Sequence, residues 1–215
     1  MQIVKHPIQL KSEELTLTNQ RAIYWQRERA LILSDVHIGK TAHFRKYGIP
    51  MPKTILEQDL ERLMGLIEHF NAKKLLIVGD LFHAGSNTDL TVFEEWKAKS
   101  KDLKVVLIKG NHDRISKSVI ERFQLELHAP ELVIEPFTFI HDKGENSSSF
   151  QISGHTHPGV TIEGKGKQRI KLPCYQITES ELILPAFSLF TGLNTKNAPE
   201  DCDCYAFTET GIFKV

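Results

Sequence analysis

Ala30-Leu31-Ile32-Leu33-Ser34-Asp35-Val36-His37 is an apolar run that stops on two metal-binding residue types, and four further runs stop in the same way. Leu75-Leu76-Ile77-Val78-Gly79 leads to Asp80, and Val105-Val106-Leu107-Ile108-Lys109-Gly110 leads to Asn111-His112-Asp113. Phe137-Thr138-Phe139-Ile140 leads to His141, and Phe150-Gln151-Ile152-Ser153-Gly154 leads to His155-Thr156-His157. Short apolar runs bounded by Gly and polar residues read as buried strands. In open α/β sheets, ligands bind beyond the carboxyl ends of strands, where loops present side chains to a shared crevice. The pattern predicts an enzyme built around metal ions.

The segments between the runs set the topology. Pro50-Met51-Pro52 precedes a helix in which Leu56, Leu60, Leu63, Met64, Ile67 and Phe70 recur at helical spacing. A second helix is expected over 89–100, with Leu90, Phe93 and Trp96 on one face, and a third over 116–123. Each lies between two apolar runs, which implies a largely parallel sheet with right-handed crossovers. From Leu132 onward, strands follow at short intervals: 137–140, 150–153, 159–163, 170–178, 181–184, 204–208 and 212–215. Such succession predicts antiparallel pairing in a second sheet packed on the first. The expected fold is α/β, a four-layer two-sheet sandwich flanked by helices, in a single domain over 1–215. Residues 144–149 read as a polar loop, and Gly164-Lys165-Gly166-Lys167 as a hairpin tip.

Composition narrows the setting. Apolar residues make up 40% and charged residues 25%, ordinary globular usage, and no run is long enough to suggest a membrane span. The start, Met1 to His6, lacks the basic and apolar regions of a secretory signal, so a cytoplasmic location is expected. Cys174, Cys202 and Cys204 are too few for a disulfide framework and read as reduced thiols. Twenty-seven basic residues balance twenty-seven acidic ones, so a polyanion partner would have to be held locally. Candidate segments are His43-Phe44-Arg45-Lys46, the lysine-rich run 97–104, and the basic stretch 164–171.

Taken in order, Asp-x-His, Gly-Asp, Gly-Asn-His, His and Gly-His-x-His resemble the motifs of the calcineurin-like metallophosphoesterase superfamily, over 31–157. The resemblance implies a two-sheet sandwich and two divalent metal ions. One is expected on Asp35, His37 and His157, and the other on Asn111, His141 and His155, with Asp80 bridging the two. Imidazole, carboxylate and amide donors without thiolate suit Mn²⁺ first, with Fe²⁺ or Zn²⁺ as alternatives. Two such ions can share a bridging hydroxide that attacks phosphorus in line, and can clamp the attacking and leaving oxygens. His112, the motif histidine the family does not use as a ligand, is expected to assist the leaving group, with Asp113 fixing its tautomer. Many relatives carry Asp three residues after the Asp80 position, whereas this chain has His83, a candidate substrate contact.

Ser34 to Lys40, His43 to Pro50 and Leu184 to Gly192 are similar to the bacterial ligase-associated DNA-damage-response endonuclease (PdeM-like) branch. That similarity implies a DNA endonuclease linked to repair, working with a DNA ligase, a helicase and an exonuclease-like protein. Arg45 and Lys46, with His43 beside them, are placed to meet a phosphate next to the scissile one. A phosphodiesterase or pyrophosphatase acting on a small or lipid-linked nucleotide is the alternative, and a non-catalytic scaffold a further one. The complete ligand set, with His112, favours catalysis.

Overall fold

The computed structural model describes residues 2–52, 54–83, 88–144, 149–164, 166 and 168–215. The first sheet is built from β1 (Lys5–Leu10), β2 (Glu13–Thr18), β3 (Ile23–Trp25), β4 (Ala30–Leu33), β5 (Lys74–Val78), β6 (Lys104–Ile108) and β7 (Leu125–His128). These strands lie side by side in chain order. β1 to β4 are joined antiparallel, and β4 to β7 are parallel. The crossovers are helical, as expected: α1 (Lys40–Lys46) and α2 (Thr54–Phe70) join β4 to β5, α3 (Thr88–Ala98) joins β5 to β6, and α4 (Lys117–Phe123) joins β6 to β7.

The second sheet contains β8 (Glu131–Ile134), β9 (Phe137–Ile140), β10 (Phe150–Ser153), β11 (Gly159–Glu163), β12 (Arg169–Ile177), β13 (Glu181–Ile183), β14 (Asp203–Phe207) and β15 (Ile212–Lys214). The expectation of antiparallel pairing needs one correction: β10 runs parallel to both β9 and β13. β13 is reached from β10 only through β11 and β12, and residues 141–149 separate β9 from β10, so neither pair is a tight hairpin. β11 and β12 do form an antiparallel hairpin. Lys165 and Lys167 at its expected tip, and 145–148 of the expected polar loop, lie outside the described residues.

Alternation along each central strand feeds two cores. Leu31, Leu33, Leu75, Ile77, Val105 and Leu107 face the helices, where Leu60, Leu63, Phe93 and Phe123 meet them. Ile32, Leu76, Val78, Val106 and Ile108 face the second sheet and pack on Phe137, Phe139, Ile152 and Leu184. Burial on both faces explains why these strands read as unbroken apolar runs. Beyond the second sheet, the described residues place a small cluster, Cys174, Cys204 and Ala206 with Val160 and Leu172. No described helix is long and apolar enough to cross a membrane.

Candidate metal centre

The loops after β4, β5, β6, β9 and β10 open at one edge of the sandwich. They are laced together by their backbones: Asp35 N donates to Gly79 O (3.1 Å), His37 N to Asp80 O (2.9 Å) and Gly154 N to His141 O (3.1 Å). The chain turns sharply at each, and Asp35, His37, Asp80, His155 and His157 all have φ between 51° and 66°. For a residue with a Cβ, the left-handed region costs roughly 1–2 kcal/mol. Five of the seven sequence-expected ligands therefore stand in costly backbone conformations, a concentration found where surrounding structure enforces a functional geometry.

The side chains fall into two groups able to hold a metal ion, Asp35 with His37 and His157, and Asp80 with His141 and His155. In the first group, His37 Nε2 and His157 Nε2 are 3.4 Å apart, and Asp35 Oδ1 is 3.2 Å from His157 Nε2. Asp35 Oδ1 is buried and makes no hydrogen bond, an unfavourable state that a cation at the shared focus would relieve. Asp35 Oδ2 accepts from His155 N at 3.1 Å, which ties the two groups together.

In the second group, His141 Nε2 lies 3.4 Å from Asp80 Oδ1 and 3.0 Å from Asn111 Oδ1, while its Nδ1 is 3.0 Å from Val78 O. Asn111 thus joins the second group, as the motif order implies. Asp80 Oδ1 also accepts from His112 N at 2.9 Å. The donor set, carboxylate, imidazole and amide oxygens, fits two hard or borderline divalent ions.

The electrostatics point the same way. Burial would lower the His141 imidazole, yet the Asp80 hydrogen bond and the Asp35 and Asp80 charges outweigh it and raise it to about 9. Burial would raise Asp80, but His141 and the His112 amide hold it down at about 2. His37 is driven down by burial to about 3, so its nitrogens stay neutral and available as donors. The same carboxylates that raise His141 would favour a bound cation at this position.

The remaining expected residues divide. His112 is exposed at the rim, its ring 5.0 Å from His83 and 6.1 Å from His37. His83 lies against His37 at 5.7 Å and against His43 at 5.5 Å. The expected Asp113 contact to the His112 ring is replaced by another arrangement. Asp113 is buried and accepts from the backbone N–H groups of Asp80 (2.9 Å), Phe82 (2.8 Å) and Gly110 (2.8 Å). Burial pushes its carboxyl up to about 6 against those three donors. It holds the Asp80 and Asn111 loops in register, since its side chain is turned inward while His112 faces out.

Arg45 is likewise redirected: its Nη2 is 3.1 Å from Asp89 Oδ1, an ion pair that ties α1 to α3. Lys46 is exposed at the end of α1. The lysine-rich run 97–104 lies away from the site, because Lys104 begins β6 whereas Asn111 follows its other end. Sequence reasoning missed α1 itself, seven residues with Gly39 as N-cap and no side-chain cap.

With fold and site in view, the comparisons agree. The chain belongs to the calcineurin-like phosphoesterase family, whose model matches residues 28–151. It is a metal-dependent phosphoesterase, a hydrolase with two candidate metal positions. Among solved structures, the Pseudomonas putida nuclease MPE is similar at 34% sequence identity and a TM-score of 0.81, over 94% of this chain and 96% of that one. Yfce, a phosphoesterase from E. coli, is similar at 19% identity and a TM-score of 0.47, over 86% of this chain and 97% of that one. A search of the curated proteins finds no match.

Proposed function

We propose that this phosphoesterase is a DNA endonuclease with a two-ion centre, loaded with Mn²⁺ and linked to DNA repair. The observation that carries the reading is the likeness, at 34% identity over nearly the whole of both chains, to a protein described as a nuclease. Asp35, His37 and His157 would hold one ion, Asn111, His141 and His155 the other, and Asp80 both. Bound there, the ions would supply the charge that activates a water for in-line attack and neutralises the phosphoryl oxygens. His112, exposed and anchored through its backbone N–H to Asp80, meets the leaving oxygen and delivers a proton to it. Asp113 keeps the Asp80 and Asn111 loops together. His83 and His43 line the approach, and Lys46, exposed at the end of α1, meets a neighbouring phosphate. DNA is the proposed partner, with a ligase, a helicase and an exonuclease-like protein acting in the same repair process.

The test is cleavage of single-stranded DNA, double-stranded DNA and a generic phosphodiester by the purified protein, with Mn²⁺ or chelator, beside Asp80→Ala. Metal-dependent DNA cleavage lost in the variant is the expected result. Hydrolysis of the generic ester with no DNA cleavage would overturn the nuclease reading in favour of a small nucleotide substrate, which the neutral net charge would suit.

A further inference from the structure

A ladder of rings leads out of the metal centre to a residue that the proposed chemistry does not use. It steps from His37 to His83 (centroids 5.7 Å apart), from His83 to His43 (5.5 Å) and from His43 to Tyr47 (4.8 Å). Tyr47 is 70% exposed and Ile49, two residues on, 45%. A lone exposed aromatic ring is ordinary on a protein surface. This one ends a continuous path from the catalytic histidines and stands on a fixed base. Thr41 Oγ1, Ala42 N and Arg45 Nη2 all donate to Asp89, at 3.0, 3.3 and 3.1 Å. On the same helix Phe44 packs edge-on against Phe190 at 5.6 Å. The ring is therefore held by a preorganised helix, which lowers the ordering cost of binding. Lys46 is exposed one residue before it.

A flat ring beside a cation, at the margin of a phosphodiester site, suits one kind of occupant. Bases stack on aromatic side chains while their phosphates meet nearby cations. We propose that Tyr47, backed by the His43 ring, is a base-stacking subsite for a nucleotide flanking the scissile phosphate. This rests on the DNA reading above and adds a residue that recognises the base instead of the phosphate. Gly48, Ile49, Pro50, Met51 and Pro52, which follow the ring in the chain, line a surface depression together with Arg45.

Tyr47→Ala and Tyr47→Phe are compared with the unsubstituted protein on oligonucleotides carrying a single abasic position, moved stepwise across the cut site. Stacking contributes about 1–3 kcal/mol per base, so Tyr47→Ala should raise KM on the intact oligonucleotide by roughly 5- to 150-fold. Tyr47→Phe, which keeps the ring, should stay close to the parent. At one fixed offset from the cut, the abasic position should weaken the parent and leave Tyr47→Ala no weaker than on intact DNA, the signature of a shared contact. DNA cleavage by the parent that is indifferent to Tyr47→Ala, or a Tyr47→Ala loss equal at every abasic offset, would overturn the subsite alone. Absence of DNA cleavage by the parent would overturn the DNA reading, and the subsite with it.

Discussion

A Cβ at Gly110 would overlap the Asp80 carboxylate and the Asp80 backbone nitrogen, and one at Gly79 would overlap the His141 ring. These glycines leave the space into which the second metal group is folded, and Gly79 also has φ of 82°. Gly110→Ala forces Asp80 out of reach of both His141 and the His112 amide. The expected outcome is a folded protein, by far-UV circular dichroism, that has lost bound metal and turnover together. Two equivalents of metal retained on elemental analysis would show that the close approach does not matter. His112→Ala acts differently, because only the His112 backbone touches Asp80. Both ions should remain and kcat fall by about 10²–10⁴-fold. An unchanged kcat on an ester with a poor leaving group would remove His112 from proton delivery.

At the level of elements, the stretch 184–192 has a purpose that its sequence does not spell out. Phe187 N donates to Ser34 O (2.8 Å) and Ser188 N to Asp35 O (3.2 Å), so the stretch braces the backbone under the first metal group. It is held from the other side by Arg62 of α2, which donates to Phe187 O (2.5 Å) and to Asp59 Oδ1 (2.7 Å). Arg21 adds bonds to Ala186 O (2.9 Å) and Ser188 O (3.3 Å). Burial raises the Asp59 carboxyl and lowers Arg21 to about 10 and Arg62 also, so these charges depend on one another. Arg62→Met takes the ion partner from buried Asp59, whose carboxylate keeps the Leu189 N–H at 3.2 Å, and should destabilise the protein by about 3 kcal/mol, the low end for a broken buried pair. Urea unfolding reads this as a lower midpoint at constant slope, and adding Asp59→Leu should recover part of the loss. A double variant as unstable as the sum of the two singles would exclude coupling.

The same brace shows where the sequence was legible. Helices α2, α3 and α4 announce themselves because burial repeats with the helical period, and the central strands because burial on both faces leaves unbroken apolar runs. The ligand types at the strand ends follow from that. The seven residues of α1 offer Phe44 as their one large apolar side chain and so carry no such period; the helix is held instead by tertiary contacts to Asp89 and Phe190. The inward turn of Asp113 and the ion pair of Arg45 depend on side-chain direction across distant loops, which spacing along the chain does not encode.

For the molecule as a whole, the left-handed backbone and the unsatisfied Asp35 Oδ1 of the metal centre are a cost of folding. Five left-handed residues and the buried Asp35 and Asp80 carboxylates converge on one edge of a sandwich whose stability comes from the two apolar cores. Ions that bind the folded chain and not the unfolded one should raise its stability by about 4 kcal/mol per site at a thousandfold excess over Kd. For a chain of this size, each kcal/mol moves Tm by roughly 2–4 °C, so chelation should lower Tm by on the order of ten degrees or more. The response should follow Mn²⁺ concentration at fixed ionic strength, which separates binding at the site from screening of the surface ion pairs. Asp80→Ala, which removes the carboxylate proposed to serve both ions, should melt at one temperature with or without Mn²⁺. A parent protein insensitive to chelator, or an Asp80→Ala variant that still gains as much from Mn²⁺ as the parent, would show that the two groups do not act as one metal centre.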